Sequence, residues 1–319
     1  MLHRALLVQA ATWAAITMGT ASAQPVFQAP LAVPAAKSAL AMQAQLNALA
    51  MAGKRIVAAG QRGHILYSDN GKDWVQAEVP LSTDVTALSF PDAKKGWAVA
   101  HPGVVLNTTD GGATWSKQFL VRDADKPLLD VWFEDDRKGF AIGAFNLILR
   151  TEDGGKSWTS WADRVDNPKA MHLYGIRPAG GTLFMVGEQG LVLKLDRASQ
   201  RFIRVPLPYE GTLFGVTGSA NMTLVYGLRG NAFRTTDGGA NWSKVETGVT
   251  AGLTGGVVRA DGSVVLASQA GQLLLSIDDG ATFRRIPLLN PAPVFTLADA
   301  GNGNLGLAGF GGVRLESLK

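Results

Sequence analysis

The sequence predicts an all-β fold, a seven-bladed β-propeller of four-stranded antiparallel blades, from three observations. A turn motif of the form S/T-x-D-x-G-x-x-W returns about every 42 residues. A second motif, G-x-x-G followed by apolar residues, occurs seven times if single substitutions are allowed. Two short apolar segments of strand length precede each copy. Repeats of this length with several short strands each are typical of propeller blades.

The first 23 residues are expected to be a secretory signal peptide, and residues 24–319 a single propeller domain. A basic N-terminal end precedes the apolar stretch from Ala5 to Met18, and Ala21-Ser22-Ala23 forms a small-residue cleavage site. The apolar stretch is short for a bilayer span. The sequence therefore predicts a periplasmic protein, exported by a cleaved signal peptide and without direct membrane insertion.

Composition excludes several classes of function. The net charge is +4 and the charges are scattered, so nucleic-acid binding is not expected. The chain has no cysteine, which excludes disulfides and thiolate metal sites. Only three histidines follow the leader, far apart in sequence, so neither a metal nor another cofactor is predicted. We expect a monomer when the protein is on its own.

The turn motif, which we name the Asp box, is interpreted as structural. Its carboxylate can accept backbone N–H bonds across the turn, its glycine supplies a positive φ, and its tryptophan anchors the next strand. None of these aspartates is expected to be catalytic. The box residues are Asp69, Asp110, Asp153, Asp237 and Asp278, with the tryptophans Trp74, Trp115, Trp158 and Trp242.

One column of the repeat indicates which strand is innermost. The opening strand reads apolar-x-small-apolar, and a position kept small in nearly every repeat is one where equivalent chains crowd together at an axis. Asp130 is the charged exception and is expected to point into the central channel, as a solvated group or as a ligand contact. The column reads Ala48, Ala87, Asp130, Gly175, Gly215, Gly255 and Thr296.

Ring closure is predicted from the two ends of the chain. The last repeat ends just after its third strand and so lacks an outer strand. The segment Pro25–Val33 is rich in residues compatible with a strand. We expect it to supply the outer strand of the last blade.

Candidate binding residues lie in the glycine turns. In a four-stranded blade these turns and the connections between blades fall on the face opposite the Asp boxes, and that face carries the variable residues. Aromatic and arginine side chains there are typical of a protein interface, although each residue alone is also compatible with ordinary loop surface. With Asp130, the candidates are Arg62, His101, Phe145, Gln189, Arg229 and Phe310.

The motif combination resembles the photosystem II stability/assembly-factor family. The resemblance rests on Lys95-Gly96-Trp97, Lys138-Gly139-Phe140, the glycine motif and T-x-D-G-G-x-x-W, and it covers nearly the whole mature chain. It implies a non-enzymatic exported propeller that binds a subunit of a membrane protein complex during assembly. In a non-photosynthetic bacterium it implies a periplasmic partner of a membrane transport complex, such as an RND-type exporter. It also implies a role for arginines on one face, to which Arg62 and Arg229 loosely correspond.

The alternative is a sialidase-like glycoside hydrolase, since Asp-box propellers include sialidases, and a lectin-like role also stays open. Sialidase chemistry needs three arginines that converge on a carboxylate, a tyrosine nucleophile with a glutamate, and an aspartate acid. The sequence Phe283-Arg284-Arg285-Ile286-Pro287 is similar to the F-R-I-P signature of sialidases. Here it follows an Asp box and would fall on an outermost strand, so an enzyme is not predicted.

Overall fold

Seven antiparallel sheets surround a central channel. The structure is a computed structural model that describes residues 29–121, 126–288 and 290–318. Within these ranges 27 strands form six four-stranded sheets and one three-stranded sheet. The predicted seven-bladed propeller is therefore confirmed. The expected signal peptide, residues 1–23, lies outside the described residues.

The first two strands of each blade form its inner half. The innermost strands are β1 (Leu46–Ala52), β5 (Val85–Ser89), β9 (Leu128–Phe133), β13 (Leu173–Ala179), β17 (Leu213–Gly218), β21 (Leu253–Val258) and β25 (Val294–Gly301). The second strands are β2 (Arg55–Gly60), β6 (Gly96–Ala100), β10 (Gly139–Gly143), β14 (Thr182–Gly187), β18 (Thr223–Gly227), β22 (Val264–Ser268) and β26 (Asn304–Gly309).

The outer half of each blade follows the glycine turn. The third strands are β3 (Ile65–Ser68), β7 (Val104–Thr108), β11 (Ile148–Thr151), β15 (Val192–Asp196), β19 (Ala232–Thr235), β23 (Leu273–Ser276) and β27 (Gly312–Ser317). The outermost strands are β4 (Val75–Gln76), β8 (Ser116–Leu120), β12 (Thr159–Ser160), β16 (Arg201–Arg204), β20 (Ser243–Val245) and β24 (Arg284–Ile286). Four short 3-10 turns span Ala41–Gln43, Gln61–Gly63, Ala162–Arg164 and Leu228–Gly230.

Burial explains the sequence of each strand. The second strands are almost continuously apolar because each is covered on both faces by the neighbouring blades, and β6, β10, β18 and β22 are buried along their whole length. The outermost strands face solvent, and four of the six described ones, β8, β16, β20 and β24, carry basic residues. The hydrophobic core is divided into seven clusters, and each cluster joins two successive blades.

All seven members of the small-residue column line the channel, which encloses about 570 Å³. The cause is crowding: a Cβ atom on Gly255 would lie 2.9 Å from the Leu297 side chain of the next blade. The innermost strand of each blade is therefore the opening strand, as the column predicts. Asp130 lines this channel with the rest of the column.

Three strands of the last blade lie within the described residues, and the described part of the N-terminal segment lies elsewhere. Ala35 donates its N–H to the carbonyl oxygen of Val79 at 3.0 Å, and Lys37 donates to the carbonyl oxygen of Gln76 at 2.6 Å. Leu31 packs on the core between blades 1 and 2. The prediction that Pro25–Val33 completes the last blade is therefore wrong for residues 29–33, and residues 25–28 lie outside the described ranges.

The free carbonyl groups of the first blade explain this path. Its outermost strand ends at Gln76 and offers acceptors along its outer side, which the segment uses. Among the described residues, blades 1 and 7 are joined by apolar packing, since Leu49 and Leu66 of blade 1 share a core with Ala298 and Ala308 of blade 7.

The Asp boxes build their turns with one repeated set of hydrogen bonds. Asp237 accepts the hydroxyl of Thr235 at 2.7 Å and both the N–H and the side-chain amide of Asn241, at 2.9 and 2.8 Å. Asp110, Asp153 and Asp278 accept equivalent bonds. These carboxylates hold the turn closed, which gives each of them a structural role.

The first box departs from the pattern. Its turn is one residue shorter, and the side-chain oxygen of Asn70 accepts the N–H groups of Lys72 and Asp73 at 2.8 and 2.9 Å. Asp69, the expected box residue, forms an ion pair with Arg55 at 2.7 Å instead. The assignment of Asp69 to the box is therefore wrong, because the missing residue moves Asn70 into the place that Asp110 has in the second box.

The boxes should make the protein sensitive to acid. The hydroxyl and the N–H of Ser157 lower the pKa of Asp153 from 3.8 to about 2, and hydrogen bonds also hold the pKa of Asp237 and Asp278 below the ordinary value. Because each folded pKa lies below the unfolded one, this stabilisation is fully present above about pH 4 and is lost as the pH falls through the folded pKa. We expect the melting temperature to fall between pH 4 and pH 2.

The variant Asp153→Asn checks this prediction in thermal melts followed by circular dichroism. Its melting temperature should change less with pH below 4 than that of the wild type, because one linked proton is gone. Asp163→Asn is the matched control, since Asp163 is exposed and accepts no hydrogen bond within the described ranges. Equal slopes for Asp153→Asn and the wild type would contradict the assignment.

Candidate partner-binding face

The glycine turns and the connections between blades form one face of the disc, which we name the loop face. The Asp boxes lie on the opposite face, named here the box face. The structure places the six candidate turn residues on the loop face, and all six are exposed: Arg62, His101, Phe145, Gln189, Arg229 and Phe310.

Four of these residues occupy equivalent places with an uncommon backbone. Arg62, Phe145, Gln189 and Arg229 are each the third residue of their turn, and their φ angles lie between 52° and 57°. A side chain in this left-handed region costs roughly 1–2 kcal/mol relative to glycine. Large residues kept where glycine would be cheaper cluster at functional sites. All four side chains are exposed to solvent.

The exposed residues of the glycine turns form a first ring of side chains on the loop face. A bulge at the start of each innermost strand adds a second ring of side chains. The register shifts between the first and third residues of the opening motif in all seven blades. The bulged residue leaves the ladder, and its side chain lines the channel at the loop-face end. The seven residues are Asn47, Thr86, Leu129, Tyr174, Phe214, Thr254 and Phe295.

Aromatic side chains from both rings meet at the channel mouth. Phe145 packs edge-on against His172 with ring centroids 4.4 Å apart. His172 is 6.3 Å from Tyr174, which is 5.9 Å from Phe214. We name these four residues the aromatic arc, and they join blades 3, 4 and 5. On the other side of the mouth Phe310 packs against Phe295 at 4.8 Å.

The distribution of exposed apolar side chains distinguishes the two faces. Within the described residues nine large apolar side chains are strongly exposed. Five lie in the turns or connections of the loop face, whereas only Ile277 lies in an Asp box. The five are Leu40, Met42, Phe145, Leu228 and Phe310. The exposed apolar side chains are thus more numerous on the loop face than on the box face.

One charged group, the carboxylate of Glu188, lies beside the aromatic arc. Glu188 accepts the backbone N–H of His172 at 2.9 Å, and its carboxylate lies 3.5 Å from the His172 ring. Burial raises the pKa of Tyr174, and the charge of Glu188 raises it further. The phenol therefore stays protonated and able to donate a hydrogen bond at neutral pH.

The two arginines are not brought together. Arg62 belongs to blade 1 and Arg229 to blade 5, on opposite sides of the ring. Among the described residues neither guanidinium forms an ion pair, and the N–H of Arg62 is held by Asp84 at 3.0 Å. Together with burial, the charge of Arg62 lowers the pKa of His64. The arginines are thus separate, available charges on the rim of the loop face.

Asp130 belongs to a different site, inside the channel. It accepts the N–H of Ile176 at 2.8 Å and pairs with the guanidinium of Arg177, which joins blades 3 and 4. Burial lowers the pKa of Arg177, but the charge of Asp130 and their hydrogen bond outweigh it and raise the pKa. Asp130 therefore connects the innermost strands of blades 3 and 4 and does not belong to the exposed candidate residues of the loop face.

The channel does not assemble the groups of a sialidase. Among the described residues that line it, Arg177 is the one arginine, and it is already bound to Asp130. Burial raises the pKa of Tyr226 far above its ordinary value, which opposes its use as a nucleophile. The Arg284–Ile286 segment forms an outermost strand, away from the channel.

The described residues contain neither a metal-binding cluster nor a membrane-spanning helix. No three His, Asp or Glu side chains are grouped so that they could bind a metal ion there. No helix within the same ranges is both long enough and apolar enough to cross a bilayer.

Sequence reasoning found the turn residues but missed the second ring. The opening motif, apolar-x-small-apolar, leaves its second residue undefined, so the side chains at that position were not predicted to belong to the site. Tyr174, Phe214 and Phe295 occupy that place, and three aromatic residues in one column of seven were the available signal. Arg177 had no such signal, because it stands outside the repeated columns.

The fold and this face define a class: a seven-bladed Asp-box propeller with exposed aromatic side chains on its loop face. The chain belongs to the family described as photosynthesis system II assembly factor YCF48, whose profile matches residues 66–127 and 121–286. No curated protein matches the chain by sequence.

Solved structures agree with the fold. A structure of YCF48 bound to D1 peptide is 19% identical and has a TM-score of 0.72, with 92% of this chain and 99% of that chain covered. YCF48 from Cyanidioschyzon merolae is also 19% identical, with a TM-score of 0.70 and coverage of 86% and 95%. A GH74 xyloglucanase from Xanthomonas campestris is 11% identical, with a TM-score of 0.67 and coverage of 85% and 52%.

Proposed function

We propose that this chain is an exported, non-enzymatic accessory factor that binds a segment of a membrane protein subunit through its loop face. The observation that carries the proposal is the concentration of exposed aromatic and apolar side chains on that face, one of which, Phe145, belongs to the aromatic arc at the channel mouth. Aromatic anchors flanked by arginine are the residues that dominate binding energy in protein interfaces.

Family membership supports the same kind of partner. One protein of similar fold was solved with a D1 peptide bound, which shows that such a propeller can hold a peptide of another protein. In this chain, we infer, the bound segment lies across the channel mouth. There its apolar side chains contact the aromatic arc and its acidic groups face Arg62 and Arg229.

The location and the partner are inferred from the leader sequence. If residues 1–23 are a cleaved signal peptide, the propeller works in the periplasm as a single unit, beside a membrane complex with an exposed periplasmic segment. In a non-photosynthetic bacterium an RND-type exporter is a suitable complex. A gene for such an exporter next to the gene for this chain would support this partner.

The double variant Phe145→Ala/Phe310→Ala tests the binding face. We expect it to bind its partner at least roughly tenfold more weakly, because truncating an aromatic anchor at an interface costs about 1–3 kcal/mol. The measurement is affinity purification of tagged protein from solubilised membranes, with the partner identified and its affinity then determined by interferometry. Folding is checked by the melting temperature.

Ile277→Ala is the matched control, because Ile277 is 83% exposed on the box face. It should bind the partner as the wild type does. A partner that binds the double variant normally, or that is lost with Ile277→Ala, would contradict the proposed face. Turnover of a fluorogenic sialoside that depends on Arg177 and Tyr226 would favour the hydrolase alternative instead.

A further inference from the structure

The outer edge of the last blade differs from every other blade. Strand β27 has no described strand on its outer side, whereas the other six third strands each pair with a fourth. The N–H of Leu318 donates to the carbonyl oxygen of Gly303, so the backbone groups of Leu318 point inward, toward the side of β26. Because backbone groups alternate in direction along a strand, those of Val313, Leu315 and Ser317 point outward. A row of unpaired groups of this kind is a template for strand addition.

The shape of this edge admits one strand. Blades 6 and 1 on either side each carry a fourth strand, β24 and β4, which extends their rims by about 4.8 Å, the spacing of one strand. The edge of blade 7 is therefore recessed between two projecting neighbours. An extended peptide fits this recess, whereas the edge of a second propeller would meet the projecting rims first.

The side chains on this edge are also unlike those of the other blades. Arg314 pairs with Leu307 across β26 and β27, which places it where the six other third strands have a buried Leu or Phe. Those residues are Leu66, Leu106, Leu149, Leu193, Phe233 and Leu274. One guanidinium nitrogen of Arg314, Nη2, is buried without a partner among the described residues, and Nε is 3.1 Å from Glu316.

The charge of Arg314 selects the residue that would lie opposite. In four of the other blades the fourth-strand residue facing this position is basic: Lys117, Arg204, Lys244 and Arg285. A basic residue facing Arg314 would be repelled, and an acidic one would be attracted. An incoming strand is thus expected to carry Asp or Glu at this place.

The N-terminal end of the chain does not meet this requirement. Residues 1–28 contain no Asp or Glu. The described segment that follows them begins at blade 2, where the carbonyl oxygen of Leu31 accepts a bond from Lys117, and only then runs along the outermost strand of blade 1. It therefore starts two blades away from blade 7. The chain's own leader is therefore a poor occupant of the edge.

We propose that the outer edge of β27 binds an extended segment of a partner protein as the fourth strand of the last blade, with an acidic residue opposite Arg314. The segment runs antiparallel to β27 and leaves the edge at the loop face. There Gly312 touches the backbone of Met42, and Leu40 and Met42 offer exposed apolar surface. This site is separate from the aromatic arc.

Two peptides that copy a fourth strand of this chain test the proposal. Both reproduce residues 240–249, which contain β20, and one has glutamate in place of Lys244, the residue that corresponds to the position opposite Arg314. Fluorescence anisotropy measures their binding to the mature protein. We expect the glutamate peptide to bind about tenfold more tightly than the lysine peptide, and Arg314→Glu to reverse this preference.

Backbone pairing is tested by methylation of single peptide nitrogens. The N–H of Ala77 and that of Val205 bond to the third strand in blades 1 and 4, and Val245 has the equivalent place in the peptide. N-methylation there should abolish binding, whereas N-methylation one residue earlier should not. Arg204→Glu, a charge change on another blade, is the control and should leave peptide binding unchanged.

Three results would overturn the proposal. The first is no binding of either peptide, and the second is binding that ignores both Arg314→Glu and N-methylation. The third is another occupant: a dimer in light scattering that Arg314→Glu dissociates, or peptide binding that appears only when residues 24–28 are deleted. Phe145→Ala should not alter peptide binding, so failure at this edge and failure of the loop face are distinguishable.

Discussion

Replacing Asp130 with alanine is expected to lower the free energy of unfolding by about 2–3 kcal/mol, because the change leaves a half-buried cation and a buried N–H without their acceptor. The carboxylate is 4% exposed and serves the N–H of Ile176 and the guanidinium of Arg177 in the next blade. For a domain of this size the loss corresponds to a fall of roughly 5–10 °C in melting temperature.

The variants Arg177→Met and Asp130→Ala/Arg177→Met identify the cause. Arg177→Met should cost less, since Asp130 keeps its bond from Ile176 and the methionine side chain still fills the channel wall. The double variant should lose less free energy of unfolding than the two single variants lose together, because removing both charges leaves neither unpaired. Denaturant unfolding of the four proteins measures the coupling. Strictly additive losses would mean that the pair does not connect blades 3 and 4.

The blade architecture was predictable because it is repeated. Turn chemistry, the small inner column and the apolar second strands each recur in almost every repeat, so a substitution in one copy does not hide the pattern. Single-copy features were not predictable in the same way. Asp69 was assigned to an Asp box because the sequence around it matches the motif. The turn is one residue shorter, however, and Asn70 accepts the backbone hydrogen bonds of the turn.

The end of the ring shows the same limit. The composition of the N-terminal segment favoured a closing strand, yet Leu31 packs on the core between blades 1 and 2 and bonds to Lys117 of blade 2. Lys37 bonds to free carbonyl oxygens of blade 1. No pattern in a sequence states which of two unpaired edges is nearer. Packing joins blades 7 and 1, no described strand pairs with the outer side of β27, and only the fold reveals that Arg314 lies there.

The candidate site was predictable in part. The turn residues could be placed on one face from topology alone, since a four-stranded blade puts every second turn on the same side. Their neighbours could not, because the contact between Phe145 and His172 joins different blades. The bulge that turns Tyr174 and Phe214 into the channel is visible only in the register of the strands.

Gly190→Ala is expected to have the other large effect, about 3 kcal/mol of lost stability. Gly190 has φ of +66°, and a Cβ atom there would lie 1.8 Å from the carbonyl oxygen of Tyr209 in the connection to the next blade. The left-handed backbone alone costs alanine about 1 kcal/mol. The remainder comes from moving the connection, because a backbone atom cannot turn aside as a flexible side chain can.

Gly248→Ala separates these two costs. Gly248 also has φ of +66°, but nothing lies within 4 Å of its missing Cβ atom, so only the cost of about 1 kcal/mol should appear. Guanidinium unfolding of both variants gives the difference, and equal losses would show that backbone conformation alone explains the glycine. At Gly63 and Gly230 a Cβ atom would also lie 2.2 Å or less from a carbonyl oxygen of a connection. If Gly190→Ala loses much more stability than Gly248→Ala, the second glycine of the motif is required because the connection to the next blade lies directly against the glycine turn.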